Sequence, residues 1–286
     1  MEFALSFPKG RLAAYVEVLT FSSGYAPRHH REKLIPEGAI QIIVDLTDRP
    51  KRLYAGETTP VGVDFAKSWI SGIQQRWIVI EAQQSASMLV IQFRPGAAQA
   101  IVRHASSSLT SSVHPLTDVM NGAASSLRDR ILAAPTIAQK FAATEGWLLE
   151  QLVDAPPLHS AARHLAERLM HPGQRVRDLA EETGLSDRQV RSIFNSVIGV
   201  SPKQFARIYR FKSLLGALAE TGTDNAALEG EPLPPPDWAR LAASFGYADQ
   251  SHMSHEFIAF AGMTPGAYAA AYRGLSNYLP ITLTGG

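Results

Sequence analysis

LAEETGLSDRQVRSIFNSVIGVSPKQFARIYR, residues 179–210, recurs as LAASFGYADQSHMSHEFIAFAGMTPGAYAAAYR, residues 241–273. The Leu-Ala pair and the glycine that follows (Gly184, Gly246) align at an offset of 62. Phe194/Phe257, Gly199/Gly262, Pro202/Pro265, Phe205/Tyr268 and Tyr209-Arg210/Tyr272-Arg273 align at 63, so the second copy carries one extra residue after its glycine. A repeat this consistent fixes architecture before any local motif does. Each copy predicts a helix, a glycine turn and a second helix. Gly184 and Gly246 stand where a helix end needs a left-handed residue. Ser186, with Gln189 three residues on, forms a capping box for the next helix, and Asp249 takes the cap in the second copy. Val190, Ile193 and Phe194 supply the buried stripe of one second helix, and Met253, Phe257 and Phe260 that of the other. This is helix-turn-helix geometry, whose second helix can lie in a DNA major groove.

Between the copies, residues 203–220 predict a joining helix about 27 Å long at ~1.5 Å per residue. Residues 221–237 hold Pro232, Pro234, Pro235 and Pro236, which a helix cannot carry through its middle. They are expected to form an exposed connector, set away from DNA.

The first half has a different texture. IQIIVDL (Ile40–Leu46), RWIVIEA (Arg76–Ala82) and SMLVIQFRP (Ser87–Pro95) are short Ile/Val-rich runs between turn residues, and RLAAYVEVLTF (Arg11–Phe21) is read as another strand, although Leu12, Tyr15, Val16 and Leu19 also fit a helical face. That pattern predicts an antiparallel barrel or sandwich. After Arg94-Pro95-Gly96 the spacing turns helical, with SSSLTSS (Ser106–Ser112) read as a loop between helices. Pro156-Pro157 marks a boundary. The expected fold is α+β. Residues 1–157 form a β-rich regulatory domain ending in helices, and residues 158–286 an all-α domain. Its helix-turn-helix units cover about 176–199 and 238–261.

Composition narrows the chemistry. With 286 residues, two domains are expected. Zero cysteines exclude disulfides, thiolate metal sites and cysteine nucleophiles, including the methyl transfer of DNA-alkylation repair. No apolar run approaches the ~18 residues of a membrane span, and MEFALSFPKGR has no secretory pattern, so a cytoplasmic location is expected. No phosphate-binding loop, Gly-x-Ser-x-Gly elbow or His-Glu-x-x-His motif occurs. The chain is therefore read as a non-enzyme without a cofactor. A net charge of +1 means that any nucleic-acid surface must be local.

The doubled unit, with G-x-S-P-x-x-F at 199–205 and G-M-T-P-x-x-Y at 262–268, resembles the AraC/XylS family of bacterial transcription regulators. IPEGAIQIIVDL (35–46) and QFRPGAAQAI (92–101) resemble the sensor domain of one AraC subgroup. The resemblance implies two helix-turn-helix units joined by a long helix and set in successive major-groove segments on one side of double-stranded DNA. It further implies an N-terminal domain that binds a small-molecule effector, dimerises, or both. RNA polymerase and a second copy of the chain are candidate partners, and the helices over Thr117–Leu152 are read as packing between the domains or as a dimer contact.

On the first recognition helix, the face opposite Val190 and Phe194 presents Arg188, Arg191, Ser192 and Asn195. Arginine reads guanine and asparagine reads adenine by paired hydrogen bonds. From Ser186 to Lys212 there are six Lys or Arg and one acid, a local +5 suited to phosphates. Lys203, Arg207 and Lys212 are the backbone candidates, with Arg210 open to a structural reading because Arg273 repeats it. The second helix presents Gln250, Ser251, Ser254 and His255, with His252 at the edge. From Asp237 to Arg273 there are two Arg and three acids, or −1, so the first unit is expected to dominate affinity. His252 and His255 also have the spacing of a metal pair, but Glu256 turns toward the buried side and no third ligand is recognisable. Both histidines also fit an ordinary surface.

The alternative function is a cupin-like metal-dependent enzyme or sensor built on His29, His30, Glu32 and Glu37. The adjacent pair lacks the His-x-His alternation that puts two ligands on one strand face. Trp69, Trp77, Tyr54 and Phe65 are read as lining a pocket or as plain core.

Overall fold

A computed structural model describes residues 1–65, 67–221, 236–272 and 277–281. The first half folds into two antiparallel sheets. One sheet runs β1 (Glu2–Ser6), β2 (Val16–Tyr25), β9 (Ala86–Phe93), β4 (Gln41–Asp45), β7 (Ser68–Ser71), β10 (Val113–Pro115). The other runs β11 (Tyr278–Ile281), β3 (Arg31–Leu34), β8 (Ile78–Glu81), β5 (Lys51–Tyr54), β6 (Gly62–Phe65). The result is an open sandwich, since neither sheet closes into a barrel.

The strand period of two splits the first sheet into two faces. Leu19, Phe21, Ile42, Val44, Ile70, Leu89, Ile91 and Phe93 are buried in one core cluster with helical residues Leu127, Ile131, Trp147 and Leu148. These come from α4 (Gly122–Ala133) and α5 (Ile137–Gln151), which follow the short α1 (Ala98–Val102), α2 (Ser106–Leu109) and α3 (Leu116–Met120). Arg128 fastens α4 to the sheet by donating to the Asp45 and Thr47 carbonyls at 2.8 and 2.9 Å. The opposite face, with Ile43, Val90 and Gln92, looks into the space between the sheets.

Two local expectations change. RLAAYVEVLTF is a strand only from Val16. Residues Gly10–Ala14 form a 3₁₀ turn, held where Arg11 donates to the Leu152 carbonyl at 2.6 Å. SSSLTSS contains α2, whose Ser106 is buried.

The second half comprises α6 (Ser160–Leu169), α7 (Val176–Thr183), α8 (Asp187–Ile193), α9 (Pro202–Thr221), α10 (Trp238–Ser244), α11 (Gln250–Ala261) and α12 (Pro265–Ala271). The 20 residues of α9 span about 30 Å. Phe194 packs edge-on against Phe205 (5.6 Å), and Phe211 of the same helix packs edge-on against Phe257 (4.9 Å). One helix thus joins both units through aromatic contacts. Most of the proline-rich connector, residues 222–235, and the repeated Arg273 lie outside the described residues.

The last strand crosses the division expected at 157/158. β11 follows the second helix-turn-helix unit in sequence but pairs with β3, with Tyr278 opposite Leu34 and Ile281 opposite Arg31. Pro280 is tolerated because β11 is an edge strand.

Candidate DNA-binding face and cavity

Local chemistry sets both turns as the repeat predicts. Gly184 ends α7 at φ 67, and Ser186 and Gln189 close the capping box of α8. Gly246 follows α10 at φ 72, and Asp249 accepts from the His252 N–H at 2.7 Å. Arg188, Arg191, Ser192 and Asn195 are all exposed. Neither arginine enters an ion pair among the described residues. The helix widens at Phe194–Ile198, where the Gly199 N–H reaches five residues back to the Phe194 carbonyl at 2.8 Å. Asn195 sits in this wide turn beside the exposed Ser196.

On α11, Gln250, Ser251 and His255 are exposed. Ser254 is half-buried and its hydroxyl donates to the Gln250 carbonyl at 2.9 Å. His252 is occupied within its own turn. Its Nδ1 accepts from the Ala248 N–H at 3.3 Å and its ring meets Tyr247 edge-on at 5.4 Å. Among the described residues no three His, Asp or Glu side chains converge as a metal site.

The phosphate candidates divide. Lys203 is exposed. Arg207 is half-buried and paired: its Nε lies 2.7 Å from Glu256 Oε1 and its Nη1 donates to Gln204 at 3.0 Å. Its guanidinium also stands 5.3 Å from the Phe260 ring centre. A buried carboxylate holds this guanidinium and is shared with Arg210. Lys212 is not fully exposed either. It is half-buried over Tyr209 at 5.5 Å, and its charge acts on Glu37 in the first half. Arg210 takes the structural role offered for it, 2.9 Å from the same Glu256 oxygen and 4.3 Å from the Tyr247 ring centre. Arg175 at the start of α7 and Arg240 on α10, both exposed, escape the sequence reading. The first helix of such a unit crosses the DNA backbone, a cue that could have found both.

Between the sheets lies a cavity of about 300 Å³, with Ile43, Phe65, Trp69, Ile78 and Val90 among its apolar lining. Along one wall runs a hydrogen-bonded chain. Asn277 Nδ2 and Gln41 Nε2 each donate to Glu37 at 2.7 Å, Gln41 reaches Gln92 at 2.9 Å, and Gln92 donates to Glu17 at 2.8 Å. Burial pushes the Glu37 carboxyl above its ordinary range, opposed by Lys212 and Gln41. Burial lowers the pKa of Lys51, which also lines the space.

The His29–Glu32 group has another use. His29 Nε2 lies 2.8 Å from Glu32 Oε1, and the Tyr25 hydroxyl donates to that same oxygen. His30 is exposed. Tyr54 lies under the Arg31 guanidinium at 3.9 Å. Trp77 leaves the pocket altogether and packs against the second unit, where a Cβ added at Gly262 would fall 2.3 Å from its Nε1. The equivalent glycine of the first unit also meets the β-rich half. A Cβ at Gly199 would lie 2.8 Å from the Ser106 carbonyl, and Thr110 donates to the Gly199 carbonyl.

The family model described as Domain of unknown function (DUF6597) matches residues 6–115. No curated protein matches the chain. Among solved structures, the chain is similar to an apo point variant of ToxT from Vibrio cholerae strain SCE256. That likeness has 10% identity, a TM-score of 0.47, and covers 88% of this chain and 96% of that one. Unsaturated fatty acid bound wild-type ToxT from the same strain gives 12% identity, 90% and 96% coverage, and a TM-score of 0.46. The AraC-like transcriptional activator CuxR gives 13% identity, 76% and 87% coverage, and a TM-score of 0.20.

Proposed function

We propose that this chain is a sequence-specific, DNA-binding transcription regulator of the AraC/XylS type, acting without catalysis in the cytoplasm. Helices α8 and α11 read two successive major-groove segments. Arg188, Arg191, Ser192 and Asn195 contact bases from the first, and Gln250, Ser251, Ser254 and His255 from the second. Lys203, with Arg175 and Arg240, holds phosphates. The carrying observation is a contrast within one basic cluster. Arg207 and Arg210 share the single Glu256 carboxylate, whereas Arg188 and Arg191 face solvent without an internal partner among the described residues.

The cavity is the effector site. Its walls suit a small molecule with an apolar body and one hydrogen-bonding end directed at Glu37, Gln41 and Gln92. RNA polymerase and a second copy of the chain complete the set of proposed partners.

Selection from random duplexes with purified full-length protein at fixed salt tests the DNA reading. The expected result is a motif of two blocks about one helical turn apart, or ~34 Å. Binding that falls with salt but shows no sequence preference would overturn it.

A further inference from the structure

The segment Asn277–Ile281 lies beyond both recognition helices in sequence, yet it finishes a sheet of the other half. It is two-sided. Asn277 and Tyr278 line the cavity, while Leu279 and Ile281 are buried and the strand lies against α12. Its backbone is fastened where the Ile35 N–H donates to the Asn277 carbonyl at 2.9 Å. Its side chain is fastened where Asn277 Nδ2 donates to Glu37 at 2.7 Å. Glu37 is in turn the end of the polar chain through Gln41 and Gln92. The neighbouring Gly38 sits so close to α9 that an added Cβ would lie 2.6 Å from Tyr209 Cε2.

We propose that Asn277–Ile281 is a clasp: the DNA-binding half supplies part of the cavity wall, and an occupant of the cavity sets how firmly the second helix-turn-helix unit is held. This rests on reading the cavity as an effector site. Tyr278 forms the link, because an apolar occupant beneath it gives the strand a second packed face. Gln250, Ser251 and His255 remain exposed with the clasp closed, so the closed form is competent to meet DNA. Release loosens the second unit.

The absence of cysteine makes the test clean. Tyr278 and Leu34 are opposite each other, next to the hydrogen-bonded Asn277–Ile35 site, and therefore form a close, non-hydrogen-bonded pair suited to a disulfide. Full-length protein carrying Leu34→Cys and Tyr278→Cys is expected to crosslink within one chain on oxidation. Amide exchange in α10–α12 should then slow on the order of tenfold relative to the reduced form. Asn277→Ala, which spares the backbone pairing, should speed exchange in the same helices. Val90→Phe, or Ser22→Leu should the first disturb β9, fills the cavity as a stand-in occupant and is expected to slow exchange in β11 and α10–α12.

Failure to crosslink would overturn the docking of the strand. Crosslinking with α10–α12 exchange unchanged would overturn its hold on the second unit, and filler variants that leave both segments unchanged would overturn the link to the cavity. These readouts need no DNA. Loss of all sequence-specific binding would therefore count against the proposed function, while exchange still decides the clasp.

Discussion

Arg207 on α9 and Glu256 on α11 are joined at 2.7 Å, and the same carboxylate oxygen takes Arg210 at 2.9 Å. Glu256 is only 3% exposed, so its charge is tolerated because two guanidiniums surround it. Removing the acid strands both cations. Measured by denaturant unfolding of the full chain, Glu256→Ala is expected to cost about 1–3 kcal/mol, because both guanidiniums keep partial access to water. Arg207→Ala should cost less, since Arg210 still holds the carboxylate. Any loss of DNA affinity in Arg207→Ala should shrink toward nothing in the Glu256→Ala background, because the residue acts by seating α11. Full additivity of the two changes would instead return Arg207 to the phosphate backbone.

The two units should contribute unequally to binding. Arg191→Ala is expected to cost about 1–3 kcal/mol and to relax preference at one base position. His255→Ala should cost less in the same gel-shift titration, because the second unit offers hydrogen bonds but little charge. Lys203→Ala should weaken all sequences alike and lower the salt slope by about 1. Lys212→Ala, facing Glu37 and Tyr209, should leave that slope unchanged. A larger loss with His255→Ala than with Arg191→Ala would reverse the assignment.

The turns are legible in the sequence because their determinants are local. Ser186 and Gln189 are three residues apart, and Gly184 and Gly246 terminate their own helices, so spacing alone carries the reading. The fate of the basic cluster is not local. Arg207 meets its partner 49 residues away, and no spacing rule separates an arginine that faces DNA from one that faces a buried acid. The sheet poses a similar problem. The run Ile42-Ile43-Val44 announces a strand with two apolar faces, but not that Ile42 and Val44 meet helices while Ile43 meets a cavity. β11 is the extreme case: four residues after the second unit carry no local sign that their partner strand begins at Arg31.

Acidity offers a separate check on the cavity wall. Burial raises the Glu37 pKa, and Asp45 is pushed up in the same way. A carboxyl with a raised folded pKa holds its proton more tightly when folded. Its contribution to stability is complete below the unfolded value and is lost as pH rises through the folded value. Lys51, lowered by burial, acts in the opposite sense: its contribution is present above its unfolded value and is lost as pH falls through the folded one. The thermal midpoint is therefore expected to fall as pH rises from the ordinary carboxylate value of 4.5 through the raised Glu37 value. Glu37→Gln should flatten that part of the profile, leaving the slope that Asp45 contributes. Superimposable profiles for the variant and the parent chain would show that Glu37 is ionised without penalty.

Gly184 and Gly262 separate the strain of a helix end from the docking of one half on the other. Both lie in the left-handed region at φ 67, each just after a helix of its unit. Gly184 has open space where a side chain would begin, whereas a Cβ at Gly262 would meet Trp77 at 2.3 Å. Gly184→Ala should therefore cost only the left-handed penalty of about 1–2 kcal/mol. Gly262→Ala should cost that and more, because the rigid indole cannot yield without moving its loop. Adding Trp77→Ala removes the obstacle, so it should bring the Gly262→Ala cost, measured against Trp77→Ala alone, down to that of Gly184→Ala. In the single Gly262→Ala variant, amide protection in α11 and α12 should fall while α7 and α8 stay unchanged. Equal costs for Gly184→Ala and Gly262→Ala would mean that Trp77 gives way freely and that the second unit is not seated on it.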